Sequence, residues 1–273
     1  MKRKFLAVPV VAVLLALVAL QLHAGPFVKG YYDALPSTDG KPDTGKLAQM
    51  LSKRNANTYN FLVQSPERDI PVLEEFLPEA ERIGVDVWVT ILPPSELSDA
   101  NRNNNSFTDY IGIARRLSSL SEEYPALKAW SLDNVLLDYR YFTPAYLKSI
   151  TEAGKEHSEL KFIPVVYYNN VMSAEFADRK QYFDGIQLYY THFPEAGASE
   201  ADFFTGMVED VRKKYKGMIV IGVYATPASS QFPTTPEYIG ELLNLAKQHT
   251  DGVMIYTFDQ SGDKLSVIED AFA

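Results

Sequence analysis

The run Trp130-Ser131-Leu132-Asp133-Asn134-Val135-Leu136-Leu137-Asp138-Tyr139 sits near the middle of the 273-residue chain. Its first half alternates in the way of a strand, so Ala129, Ser131 and Asp133 share one face and Trp130 and Leu132 the other. Bulky residues on one side and small polar ones on the other describe a strand with helices against its outer face and a crowded interior on its inner face. That strand ends in a carboxylate. An isolated ionised Asp in apolar surroundings is costly or takes up a proton, so Asp133 either caps a turn or faces a site.

Working outward, seven further short runs rich in β-branched or aromatic residues have the same character: Val28–Ala34, Asn57–Val63, Val85–Leu92, Lys161–Tyr168, Gly185–Tyr190, Met218–Ala225 and Gly252–Phe258. Helical patterns separate them, at Thr44–Asn55, Ile70–Ile83, Phe107–Tyr124, Pro144–His157, Ala174–Lys180, Glu200–Tyr215, Pro236–His249 and Lys264–Phe272. Thr143 before Pro144 and Thr235 before Pro236 place a capping hydroxyl ahead of a proline at the first helical position. Strict alternation implies a parallel sheet, and one strand per repeat throughout predicts an α/β fold, a single (β/α)8 TIM barrel over residues 25–273. A doubly wound sheet is the competing architecture. It favours a glycine-rich first turn, where this chain has Asp33-Ala34-Leu35-Pro36.

Residues 1–24 read as an address rather than as part of the fold. Lys2, Arg3 and Lys4 precede an apolar run from Phe5 to Leu22, interrupted only by Pro9 and Gln21, which predicts an export signal or a retained membrane anchor. The expected location is secreted, periplasmic or anchored at the cell surface. Cysteine is absent, so no disulfide supports the fold. A net charge of −9 with no basic cluster argues against nucleic acid as a partner.

Strand parity selects candidate site residues at the end where barrel strands finish. Asp133, Asp33 and Asp259 are the carboxylates expected at this mouth, contributed by three separate strands. Asn60, Gln64, Asn134, Asn169 and Gln187 add amides, and Tyr31, Tyr167, Tyr189, Tyr224 and Tyr256 add aromatic faces. The parity of strands one, five and eight is open; on the last, Val253, Ile255 and Thr257 compete with Met254, Tyr256 and Phe258. Any one Asp at a strand end also has a plain role as a turn or helix cap, the reading preferred for Asp43 and Asp69, and Asp138 is expected to pair with Arg140 in its loop.

Carboxylates, amides and flat rings suit a sugar: acids for bond cleavage, amides for hydroxyls, rings for the apolar pyranose faces. Leu132-Asp133-Asn134 and Gln187-Leu188-Tyr189-Tyr190 resemble the ends of strands four and six in glycoside hydrolase-like TIM barrels, distantly those of the chitinase-like group. The resemblance implies a hydrolase acting on a poly- or oligosaccharide through Asp133 and a second carboxylate. It also implies a carbohydrate partner and no cofactor, with contact to a membrane only through an uncleaved N-terminal segment. The chain departs from the pattern in lacking Glu at strand four and in ending strand seven with Tyr224-Ala225-Thr226. A non-catalytic carbohydrate-binding barrel and a tethered scaffold therefore stand as alternatives. A metal hydrolase is disfavoured, because His23, His157 and His249 lie away from strand ends and only His192 follows one.

Overall fold

The computed structural model describes residues 25–33, 36–38, 41–191, 199–225, 235–256 and 265–273. The export segment, Asp259 and His192 lie outside the described residues. No helix among those described is long and apolar enough to cross a membrane.

The main sheet has nine parallel strands. We number them β1 Val28–Asp33, β2 Thr58–Val63, β3 Asp86–Ile91, β4 Leu127–Leu132, β5 Lys161–Phe162, β6 Val165–Tyr167, β7 Gly185–Tyr189, β8 Met218–Tyr224 and β9 Gly252–Tyr256. Their spatial order is β5-β4-β3-β2-β1-β9-β8-β7-β6, so the sheet curls until its two outermost strands are neighbours in the chain. Only Ile163 and Pro164 separate β5 from β6. The fifth predicted strand is thus interrupted, because proline has no N–H for the ladder. Its neighbours are still bonded to it: Ile163 N donates to Trp130 O (2.9 Å) and Gln187 N to Pro164 O (2.9 Å).

Helices α1 Thr44–Lys53, α2 Pro66–Ile83, α3 Tyr110–Glu123, α4 Pro144–Gly154, α5 Ala174–Arg179, α6 Glu200–Lys214, α7 Pro236–His249 and α8 Leu265–Phe272 follow the strands. Local chemistry sets their starts. Asp43 accepts from Lys46 N, Asp109 from Gly112 N and Ser199 from Asp202 N, while Thr143 and Thr235 cap as the sequence predicts. The second helix begins at Pro66, four residues before the expected Ile70, because Ser65-Pro66 is itself a helix start. Asp69 in its first turn takes the backbone N–H groups of Gln64 and Ser65, both at 2.8 Å.

Two apolar clusters result. The larger lies between strands and helices and includes Trp130, Leu132, Tyr31, Tyr59, Phe162 and Ile186. The smaller fills the concave inside of the sheet, with Val28, Tyr32, Trp88, Ala129, Ile163, Val165, Tyr189, Val220 and Met254. The parity of β2, β4 and β7 is as the alternation predicts, and β9 turns Met254 and Tyr256 inward. In β1, whose parity the sequence leaves open, the expected site residue Tyr31 lies on the outer face. Tyr31 packs outward against Phe272 of α8, with ring centroids 5.5 Å apart, and Tyr32 points inward. The cause is Gly30, whose inward position is occupied by the Met254 side chain; a Cβ there would lie 2.6 Å from Met254 Sδ.

Gly222 serves the same purpose for Tyr189, whose ring would lie within 2.4 Å of an added Cβ, whereas Gly206 on α6 has nothing within 4 Å. Denaturant unfolding should therefore show Gly222→Ala losing about 1–3 kcal/mol by overpacking. Gly206→Ala should be unchanged or stabilised by up to ~1 kcal/mol.

Candidate functional site at the strand ends

A layer of buried polar side chains forms the base of the site. Asn60 Nδ2 donates to Gln187 Oε1 across the inside of the sheet (3.0 Å), and Thr90 Oγ1 donates to Asn60 Oδ1 (2.8 Å). Gln187 Nε2 donates in turn to Ser131 Oγ and Ile163 O, both at 3.1 Å. All four side chains are buried. Asn60 and Gln187, expected to contact substrate, instead spend their amides on each other and on the strands, because a buried amide without partners is costly.

Above this layer lies a cluster of tyrosines. Tyr32 meets Tyr256 at 5.1 Å and Tyr189 at 6.4 Å between ring centroids, Tyr224 meets Tyr189 at 5.3 Å and Tyr256 at 5.6 Å, and the hydroxyls of Tyr167 and Tyr224 are 3.2 Å apart. Parallel register explains the gathering, since Tyr256 is paired with Tyr32 on one side and Tyr224 on the other. Burial raises the pKa of each of these five, so they remain neutral hydroxyls. Tyr32 is the member that sequence parity did not supply.

Asp133 stands against this cluster. Its backbone N extends the β3–β4 ladder by donating to Ile91 O (3.1 Å), and Asn134 then adopts φ 40°, a left-handed conformation that asparagine tolerates better than most residues. That turn leads the chain away and leaves the carboxylate at the strand end. Tyr32 Oη donates to Asp133 Oδ2 (3.0 Å). Burial raises the Asp133 pKa, and the bonds from Tyr32 and the Asn134 backbone oppose the rise without cancelling it. Asn134 accordingly acts through its backbone, as a positioning residue.

A second carboxylate comes from the β3 loop. Glu96 ends the 3-10 turn Pro94–Glu96, which is held because Ser95 N donates to Asp138 Oδ2 (2.9 Å). Asp138 thus ties two loops together, while Arg140 Nε donates to the hydroxyl of Tyr139 in place of the expected pairing with Asp138. Partial burial of the Glu96 carboxyl, then the negative charges of Asp133 and Asp138, push its pKa up to about 7. The residue as a whole is exposed, so solvent weakens these influences in stability terms. Glu96 carries no periodicity signal, being off the strands, and only the arrangement of loops brings it near Asp133.

The other expected site residues lie further from Asp133, although the charge of Asp33 still helps to raise the Tyr256 pKa. Asp33 shares the outward parity of Tyr31 on β1, and its backbone oxygen accepts from Tyr59 Oη (3.0 Å). Gln64 lies exposed beyond β2, and Asn169 is exposed in the helical turn Tyr168–Met172. Among the described residues, no group of three or more His, Asp or Glu is disposed to hold a metal ion. A cavity of about 650 Å³ lies where the strands begin, with Asn57, Asp86, Trp88, Lys128 and Lys161 in its wall. It is at the opposite end from Asp133 and Glu96, and the acid Asp86 in its wall lies in the field of Lys128 and Lys161, with Glu159 exposed at its edge, so the mouth is the candidate site.

Comparison with solved structures agrees with this geometry at the level of fold. A β-glucuronidase from Ruminococcus gnavus in complex with D-glucaro 1,5-lactone matches with a TM-score of 0.63 at 14% identity, over 91% of this chain and 50% of that one. The endo-glycoceramidase II of Rhodococcus sp. in an iminocyclitol complex gives 0.61 at 12% identity, over 90% and 79% respectively. A glucosidase from Croceicoccus marinus gives 0.62 at 12% identity, over 92% and 68%. The likeness is one of fold: an α/β chain with a curled parallel sheet, similar to the sheet of these distant glycoside hydrolase structures. This chain spans about half the length of the glucuronidase. No protein-family profile and no curated protein sequence matches it.

The raised pKa of Glu96 has a consequence for stability. The folded state holds this proton more tightly than an unfolded chain, whose Glu titrates near 4.5, so wild-type stability should fall as pH rises from about 4.5 to about 7. Glu96→Gln should remove that fall. Melting curves across pH should show the variant gaining on the wild type through this window, with the difference constant above it.

Proposed function

We propose that the mouth is the active site of an exported glycoside hydrolase acting on a poly- or oligosaccharide, with Asp133 and Glu96 as its carboxylate pair. The observation that carries this reading is the meeting of a buried Asp133 and a proton-retaining Glu96 over a cluster of neutral tyrosines. Two acids in unlike environments are the arrangement that separates an acid from a nucleophile or base. Glu96, on the rim and protonated to near neutrality, is the general acid. Asp133, fixed by Tyr32, is the nucleophile or the base that activates water.

The chain continuity of β5 and β6 supports the further step that the sheet closes as an eight-stranded barrel, with Pro164 a break within one strand. Residues 1–24 supply export in this reading. Asp259, beyond β9, keeps a place as an additional carboxylate on the basis of sequence alone.

A non-catalytic carbohydrate-binding barrel is the second reading. It is favoured by β8 running into Tyr224 and Ala225 with no acid at its end.

Reducing-end release from a panel of polysaccharides by the full chain tests the proposal. Asp133→Asn and Glu96→Gln should each lower kcat about 10²–10⁴-fold while retaining ligand binding. Wild-type kcat/KM should fall as pH rises through about 7, where Glu96 gives up its proton. Binding without turnover, equal in wild type and both variants, selects the second reading.

A further inference from the structure

We propose that Asp138 is the positioning residue of the carboxylate pair: its side chain fixes where Glu96 stands relative to Asp133 and adds a negative charge beside it. This rests on the reading of Asp133 and Glu96 as that pair and adds how their arrangement is controlled. Glu96 has no strand to hold it. Its turn is shaped from within the β3 loop, where Glu96 N donates to Pro93 O (3.0 Å) and Leu97 N to Pro94 O (3.3 Å), with Pro94 and Leu97 buried. Arg102, paired with Asp99 at 3.5 Å, grips the same turn by donating from Nε to Pro94 O (2.9 Å) and from Nη2 to Leu97 O (3.2 Å). These bonds set the shape of the turn and leave its place against Asp133 undetermined.

That place is set from the β4 loop. Among the described residues, the hydrogen bond from the turn to that loop is the one from Ser95 N to Asp138 Oδ2 (2.9 Å), between residues 43 apart in the chain. A backbone N–H given to a carboxylate is the stronger, charge-assisted kind. The Asp138 end is itself well braced. Its carbonyl accepts from Tyr141 N (2.8 Å) and Phe142 N (2.9 Å), Leu137 N donates to Asn134 O (2.9 Å), and buried Arg179 donates to the carbonyls of Tyr139 and Phe142, both at 2.9 Å. Asp133 and Asp138 thus belong to one ordered segment, and the bond from Ser95 ties the residue next to Glu96 to it.

Position alone would be served by an amide, since an asparagine side-chain oxygen accepts the same N–H. A carboxylate adds charge. Glu96 stands in the field of Asp133 from the end of β4 and of Asp138 from the loop beyond it; its own charge acts on the Tyr167 and Tyr256 hydroxyls, and Arg102 is bonded to the carbonyls of its turn. After burial, the negative charges of Asp133 and Asp138 are what hold the proton on Glu96. Asp138 therefore does two separable things for one residue.

Asp138→Asn keeps the acceptor and removes the charge, and Asp138→Ala removes both. In the full chain, the fall of kcat/KM with rising pH should move to lower pH by about 0.5 in both variants, the scale of one partly solvated like charge. Asp138→Ala should also lose kcat about 10–10²-fold with KM little changed, whereas Asp138→Asn should retain it, the signature of a displaced acid. Independently of turnover, melting curves across pH for each variant, with and without Glu96→Gln, should show the stability window of Glu96 ending at lower pH than the wild-type value of about 7. A merely structural tie would lower the melting temperature of Asp138→Ala and move neither pH dependence. Either an unmoved window in Asp138→Asn, or an Asp138→Ala kcat equal to that of Asp138→Asn, overturns the inference and leaves the hydrolase reading intact. If the wild type turns over no polysaccharide, the hydrolase reading falls, and the position of the window alone upholds or overturns the hold of Asp138 on Glu96.

Discussion

The hydrogen bonds that join Asn60 to Gln187 across the inside of the sheet are the constraint on which the rest of this structure depends. A curled parallel sheet must fill its interior with side chains from opposite strands, and here the middle of that interior is polar. Thr90, Ser131 and the Ile163 carbonyl complete the set so that each amide is used. Such a network is stable only when fully satisfied, which pins the mutual register of β2, β3, β4 and β7. Apolar residues alone would tolerate small slides between these strands. The amides do not.

With the base of the site held in this way, the tyrosines above it have no freedom to spread, and their rings form the surroundings of Asp133. A carboxylate in that position is raised in pKa by burial and held by the Tyr32 phenol and the Asn134 backbone. The cost of keeping it there is met by the fold as a whole, and strand ends that carry such a cost are where function is expected. Glu96 shares the field of Asp133 because Asp138 reaches back to the Ser95 backbone and holds the intervening turn. The pair therefore arises from two loops and one strand end.

Much of the fold was legible in the sequence. Eight strand segments and eight helices were readable from periodicity, and Thr143, Thr235, Asp43 and Asp69 were recognisable as capping or turn residues from local chemistry. Parity was readable on β4 because Trp130 and Leu132 differ so plainly in bulk from Ser131 and Asp133. It was open on β1, where Tyr31 and Tyr32 are identical in kind and the inward neighbour is a glycine that yields its space to Met254. Asn60 and Gln187 were placed on the correct face and given the wrong task, since alternation states direction and says nothing of depth.

By itself, then, the sequence determined the order of elements, the helix starts capped by Thr143 and Thr235, the inward face of β2, β4 and β7 and the placing of a carboxylate at the end of β4. These follow from interactions within a few residues, from periodicity and from capping. Only the tertiary structure decided that Tyr32 holds Asp133, that Glu96 stands near it, and that Tyr31, Asn60 and Gln187 belong to the core. Each of those facts depends on groups far apart in the chain, 101 residues in the case of Tyr32 and Asp133. Distances of that kind are set by sheet curvature and by which side chains fit together inside it, and no local pattern encodes them.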